Sequence, residues 1–163
     1  NTPALVQQGA TGIYFPADTD EMLKARVKTI FQAIGIVAEV SSEADLHAVT
    51  ALSGSGPAYF LLFLEALEAA ACRMGLAPEL ARRLAIQTMI GAGCLAATGT
   101  DSPATLKKKV MSPGGTTERA IAQFENEGFA AIVDRAVLQA WNRSYTLAGE
   151  PPPVVTEVRN GGQ

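Results

Sequence analysis

The chain has 163 residues, of which 48% are apolar, 18% charged and 6% aromatic, a composition that fits one folded domain, or a domain with a fragment of another, and excludes intrinsic disorder. Thirteen Lys and Arg stand against sixteen Asp and Glu, a net charge of -3. Without a basic surplus or a set of aromatic stacking platforms, nucleic-acid binding is disfavoured as a function class.

The chain opens at Asn1 in a loop-like segment without an initiating methionine, as a piece of something longer would. Gly12-Ile13-Tyr14-Phe15 is a short β-prone run stopped by Pro16. Asp18 or Thr19 then serves as N-cap, with Glu21 in the first turn, for a helix carrying Met22, Leu23, Ala25, Val27, Ile30, Phe31 and Ile34. Gly35 ends that helix, and Ile36 to Val40 reads as a second strand. Strand, helix and strand in this order make an α/β unit, which by itself cannot cover both faces of its sheet and needs a larger sheet to join.

From Ser42 onward the pattern is helical. Ser42 caps a helix beginning Glu43-Ala44-Asp45-Leu46, which Ser53-Gly54-Ser55-Gly56-Pro57 interrupts. A long apolar helix follows from Ala58 and stops at Gly75; Pro78 sits in the first turn of the next, which runs to Thr98. A turn over 99–103 leads into a helix from Ala104 to Met111, then the loop Ser112-Pro113-Gly114-Gly115. Helices from Thr116 or Thr117 through Phe124 and from Gly128-Phe129 through Tyr145 complete the series. Residues 149–163, with three consecutive prolines, read as a flexible tail.

The helix after Ala58 is apolar on nearly every side, which calls for a partner chain to cover it. Glu65, Glu68 and Arg73 keep it below the roughly 18 uncharged residues of a membrane span. Cys72 and Cys94 lie in apolar helical patterns and read as buried, reduced thiols of a cytosolic protein, with a pairing of the two as the alternative. His47 is the only histidine, so a zinc site lacks ligands and no metal is expected. His47 itself reads as a surface or hydrogen-bonded residue.

Two glycine clusters bear on chemistry. Gly54-Ser55-Gly56 lacks the preceding strand and third glycine of a dinucleotide fingerprint; its small residues read as letting two helices approach closely, with a kink at Pro57. In Ser112-Pro113-Gly114-Gly115-Thr116-Thr117, two glycines run into a helix start, where free N–H groups and three hydroxyls suit a carboxylate or a small phosphate. The same residues also make an ordinary Pro-Gly turn with a threonine cap. Lys107-Lys108-Lys109 just upstream reads as a solvated face or a phosphate contact. With no His, Cys or acid pair in this loop, a reaction here needs a cofactor to supply the reactivity.

The segments Ala48-Val49-Thr50-Ala51-Leu52-Ser53-Gly54-Ser55-Gly56-Pro57-Ala58-Tyr59 and Leu106 to Thr117, with the opening Asn1-Thr2-Pro3-Ala4, closely resemble pyrroline-5-carboxylate reductase over residues 1 to 148. The resemblance implies a mainly α chain. Residues 1–42 would be the closing strand–helix–strand of a Rossmann domain and residues 43–148 a helical dimerisation and substrate-binding domain of the 6-phosphogluconate-dehydrogenase C-terminal type, with the tail over 149–163. It implies a cytoplasmic oxidoreductase of proline biosynthesis, a homodimer or higher homo-oligomer, that reduces L-pyrroline-5-carboxylate to L-proline with NADPH or NADH.

By the same resemblance, Ser112 with the Gly114-Gly115 turn and the N–H groups of Gly115 and Thr116 would hold the substrate carboxylate. The Thr117 hydroxyl would meet the ring nitrogen as the catalytic contact, and Glu43 would lie close to the substrate. Asn1 and Lys109 would lie by the cofactor, although Lys109 stands where many relatives carry Asn or Gln. The phosphate-binding GxGxxG is absent from these residues, so the chain alone is expected to bind dinucleotide poorly and to turn over nothing. A non-catalytic dimerisation module and a reductase of another cyclic imine are the competing readings.

Overall fold

The structure, a computed structural model, describes residues 1–154; the part of the expected tail beyond them lies outside the described residues. The chain divides into two compact units, Asn1–Pro57 together with the segment from Asp134 on, and Ala58–Val133.

The first unit contains the α/β element that the sequence predicts. Strand β1 (Gly9–Ile13) pairs in parallel with β2 (Gly35–Glu39), Gly9 opposite Gly35 and Ile13 opposite Glu39. Helix α1 (Glu21–Gln32) connects them. A 3-10 turn, Thr2–Val6, precedes β1 where the sequence reading has only a loop. Both strands begin earlier than expected, β1 at Gly9 in place of Gly12 and β2 at Gly35 in place of Ile36. The cause of the second shift is visible: Gly35 does not end the helix but pairs with Gly9 at a φ of +152°, where an added Cβ would stand 2.0 Å from the Gly9 carbonyl oxygen. The N-cap of α1 is Asp20, whose carboxylate accepts from Leu23 N at 3.0 Å, and neither Asp18 nor Thr19 plays that part. A hydrogen bond from Lys28 holds the Glu39 carboxyl below the ordinary carboxylate range.

Helix α2 (Asp45–Val49) is tied at its start by reciprocal bonds: Asp45 Oδ2 accepts from Ser42 N at 2.8 Å, and Ser42 Oγ accepts from Asp45 N at 3.3 Å. Glu43 and Ala44 therefore form a turn before the helix and not its first residues. The segment Thr50–Gly54 is π-helical, and after Ser55 the helix α3 (Gly56–Arg73) starts. The small residues here do not serve a close helix approach. An added Cβ at Gly54 would touch only Thr50, and one at Gly56 would touch nothing. His47 is satisfied, as expected: its Nδ1 lies 2.8 Å from Ser144 Oγ and its ring stacks on Tyr145 at 3.7 Å, with Trp141 edge-on to Tyr145. These partners come from α7 (Phe129–Ala148).

The second unit is helical. It holds most of α3, then α4 (Pro78–Thr98), α5 (Pro103–Lys109) and α6 (Thr116–Asn126), and closes with the first turn of α7. Phe63, Phe124 and Phe129 form a ring cluster with centroids 5.6–6.2 Å apart, and Arg82 pairs with Glu68 at 3.1 Å. Ala81 of α4 is buried. The thiols depart from expectation in one respect: both are free, but Cys72 is half-buried and Cys94 exposed, because the helix faces that carry them are uncovered in this chain. No helix among the described residues is long and apolar enough to cross a membrane.

Gly12 is where β1 touches α2: a Cβ there would stand 2.7 Å from Val49 Cγ1. Gly12→Ala is expected to lower stability by about 1–3 kcal/mol through overpacking. Urea unfolding should show most of that loss restored by Val49→Ala in the same chain.

Candidate functional site

The loop between α5 and α6 is shaped by four residues in sequence. Ser102 caps α5 by accepting from Thr105 N at 3.2 Å, and the helix runs out through Val110 and Met111. Ser112-Pro113-Gly114-Gly115 then makes a turn closed by Gly115 N donating to Ser112 O at 2.9 Å. Proline at the second position and a glycine at φ +71° in the third are the requirements of a type II turn. Gly115 is equally constrained, since a Cβ there would stand 2.9 Å from the Ser112 carbonyl oxygen.

The turn delivers the chain into α6 with Gly115 in the N-cap position, and no side chain caps the helix. Neither threonine is the cap that the plain-turn reading requires. The N–H groups of Thr116 and Thr117 thus fall in the first turn, where no intrahelical acceptor exists and the helix dipole favours an anion. Gly115 contributes differently from what the resemblance implies, because its own N–H is engaged within the turn. Gly114 N donates to the Glu118 carboxylate at 2.7 Å, a contact the sequence reading missed. Its signal is an acid at the third helical position, where a side chain reaches back over the helix start. Ser112 and Thr116 are exposed and Thr117 is half-buried.

The remaining predicted residues fall elsewhere. Lys109 Nζ lies against the Asp101 carboxylate at 2.5 Å, and Lys107 Nζ bonds Glu125 of α6 at 2.8 Å. The basic run is thereby largely a set of ion pairs that fastens α5 to its neighbours. Glu43 is exposed in the turn before α2, and Asn1 precedes the Thr2–Val6 turn; both belong to the first unit. The Asn1 amide is engaged on both sides, donating from Nδ2 to Ser53 O at 2.7 Å and accepting at Oδ1 from Ala10 N at 3.0 Å. Among the described residues, no three His, Cys, Asp or Glu side chains converge.

The architecture, a short parallel α/β unit leading into helices, recurs in solved structures. A pyrroline-5-carboxylate reductase from Coxiella burnetii superposes with a TM-score of 0.88 at 41% identity, over 90% of this chain and 54% of that one. A pyrroline carboxylate reductase from Plasmodium falciparum, solved with NADP bound, gives 0.82 at 34% identity, over 90% and 56%. Among curated relatives, the pyrroline-5-carboxylate reductase of Pseudomonas aeruginosa is 44% identical over 148 residues, 91% of this chain and 54% of the relative. That of Arabidopsis thaliana is 39% identical over 148 residues, 91% and 53%. The class is therefore a helical dimerisation domain preceded by a short two-stranded parallel α/β unit. A family model for pyrroline-5-carboxylate reductase dimerisation matches residues 43–147, and the chain belongs to that family. It spans about half the length of the curated relatives it matches.

The Glu118 contact is open to test. Glu118→Ala leaves Gly114 N–H without its acceptor and removes a favourable charge from the start of α6, at an expected cost of about 0.5–1.5 kcal/mol. Hydrogen exchange should show the amide of Gly114 losing protection, while Glu118→Gln keeps most of it.

Proposed function

We propose that this chain is the substrate-binding and dimerising part of an NAD(P)H-dependent reductase that converts L-pyrroline-5-carboxylate to L-proline in the cytoplasm. The observation that carries this reading is the uncapped start of α6, presented by a rigid Ser-Pro-Gly-Gly turn and flanked by hydroxyls. Donors from a helix start, with no competing side-chain cap, suit a carboxylate. The N–H groups of Thr116 and Thr117 and the Ser112 hydroxyl take the substrate carboxylate, Gly114 and Gly115 set the turn that aims them, and the Thr117 Oγ hydrogen-bonds the ring nitrogen. Glu43 is assigned to the substrate's surroundings.

The nicotinamide, NADPH or NADH, supplies a hydride to the imine carbon; the C=N bond becomes C–N and the ring nitrogen ends protonated. The work of this chain is to fix the ring so that its imine carbon is presented in one orientation. The residues described here do not by themselves make a dinucleotide site, since Lys109 is paired with Asp101 and Asn1 with backbone. In this reading residues 1–42 close a nucleotide-binding domain whose phosphate loop lies in the part of the relatives that this chain does not span.

The homodimer follows from surface that the chain leaves open. Phe60, Leu61 and Leu62 of α3 are 66%, 59% and 67% exposed, large apolar side chains that one helix leaves open to water. A second copy covers them in this reading.

In the full-length product, substrate-dependent loss of nicotinamide absorbance should fall about a hundredfold or more in Thr117→Ala. L-proline should raise the melting temperature of the wild type and not of that variant. A folded wild type that oxidises no NAD(P)H with pyrroline-5-carboxylate would leave a non-catalytic dimerisation module. Leu62→Glu is expected to convert the dimer to monomer in sedimentation; an unchanged mass would place the interface elsewhere.

A further inference from the structure

The junction of α2 and α3 sets a hydrogen-bonding problem that the sequence creates at one position and solves at another. In a right-handed helical run each carbonyl accepts from the N–H four residues on. For Ser53 that residue is Pro57, which has no N–H. The widened π-helical turn just before it takes care of Thr50, whose carbonyl accepts from Ser55 N at 2.9 Å. The Ser53 carbonyl accepts instead from Asn1 Nδ2 at 2.7 Å, across 52 residues of sequence. The other end of the same amide accepts from Ala10 N, in β1, at 3.0 Å.

We infer that Asn1 is a positioning residue whose amide replaces the N–H that Pro57 lacks and so holds the Ser53–Pro57 turn against β1. The side chain must donate at one end and accept at the other within a short reach. An aspartate would set a carboxylate oxygen against the Ser53 carbonyl, and an alanine would leave both backbone groups unpartnered. The inference deepens the reductase reading, on which its kinetic part rests: Asn1 acts on the cofactor side through the turn it holds, and not by lending its own amide to the dinucleotide.

The test is a double-mutant cycle in the full-length product with Asn1→Ala, Pro57→Ala and the pair. Hydrogen exchange, read without substrate or cofactor, should show the amides of Ser53, Gly54 and Ser55 exchanging about tenfold faster in Asn1→Ala. In the Pro57→Ala background the restored N–H at position 57 can take the Ser53 carbonyl, and the same change should then accelerate exchange by less than about threefold. An equal acceleration in both backgrounds, or none in either, overturns the inference. If Asn1→Ala alone does not fold, the pair must yield soluble, folded protein; a pair that fails like the single variant overturns it equally. In turnover assays the KM for NAD(P)H should rise in Asn1→Ala and return toward the wild-type value in the pair, which a direct amide ligand of the cofactor would not do. A KM that stays raised in the pair overturns the indirect role. A wild type without turnover would defeat the reductase reading, while the exchange series would still decide what Asn1 holds.

Discussion

The constraint on which the rest of this chain depends is apolar surface that it cannot cover by itself. Among the described residues the buried apolar side chains are only Ala51, Ala81 and Tyr145, and two of these are alanines. Against them stand α3 with Phe60, Leu61 and Leu62 exposed, α1 with Ile30 67% exposed, and β2 with Ile36 69% exposed. At about 25 cal/mol per Å² of apolar surface removed from water, side chains of this size are worth more when covered than most polar contacts described above. A sheet of two parallel strands and helices apolar on more than one side are the shapes of a chain whose core is completed by other polypeptide. Membership of a dimerisation family agrees with that requirement.

The loop between α5 and α6 shows how little sequence is needed to build a turn that opens into an uncapped helix start. Pro113 sets one dihedral angle, Gly114 permits a positive one, and Gly115 admits the Ser112 carbonyl oxygen at contact distance. The chain enters α6 without a capping side chain, so the first-turn donors have no acceptor within the helix. Glu118 restrains the turn from the helix side, and the ion pair of Lys107 with Glu125 ties α5 to α6, which fixes both ends of the loop. The lysine run, which by sequence reads as a solvated face or a phosphate contact, thus serves the loop's geometry through its ion pairs.

The α2–α3 junction shows the opposite economy. Pro57 removes a donor that local sequence cannot replace, and the replacement comes from Asn1 through an amide that also pairs with β1. The segment's glycines and serines are consistent with a turn that bends away from ordinary helical bonding, and an added Cβ at Gly54 or Gly56 would meet no second helix.

The order and kind of the strands and α-helices were legible in the sequence because they rest on local physics. Apolar spacing of helical period marks α1 and α3 to α7, Pro78 and Gly75 punctuate them, and β-prone runs flank α1. Ser-Pro-Gly-Gly is a turn wherever it occurs, since proline and glycine carry their dihedral preferences with them. The family resemblance was also legible, being a property of ordered residues. What only the tertiary structure decided are relations between residues far apart in the chain. The start of β2 at Gly35 depends on pairing with Gly9, and the partner of the Ser53 carbonyl lies 52 residues away. The exposure of Cys94 depends on which helix faces find a neighbour. Hydrogen bonds and burial are settled by proximity in space, and spacing along a chain constrains that proximity only within a turn or two of helix.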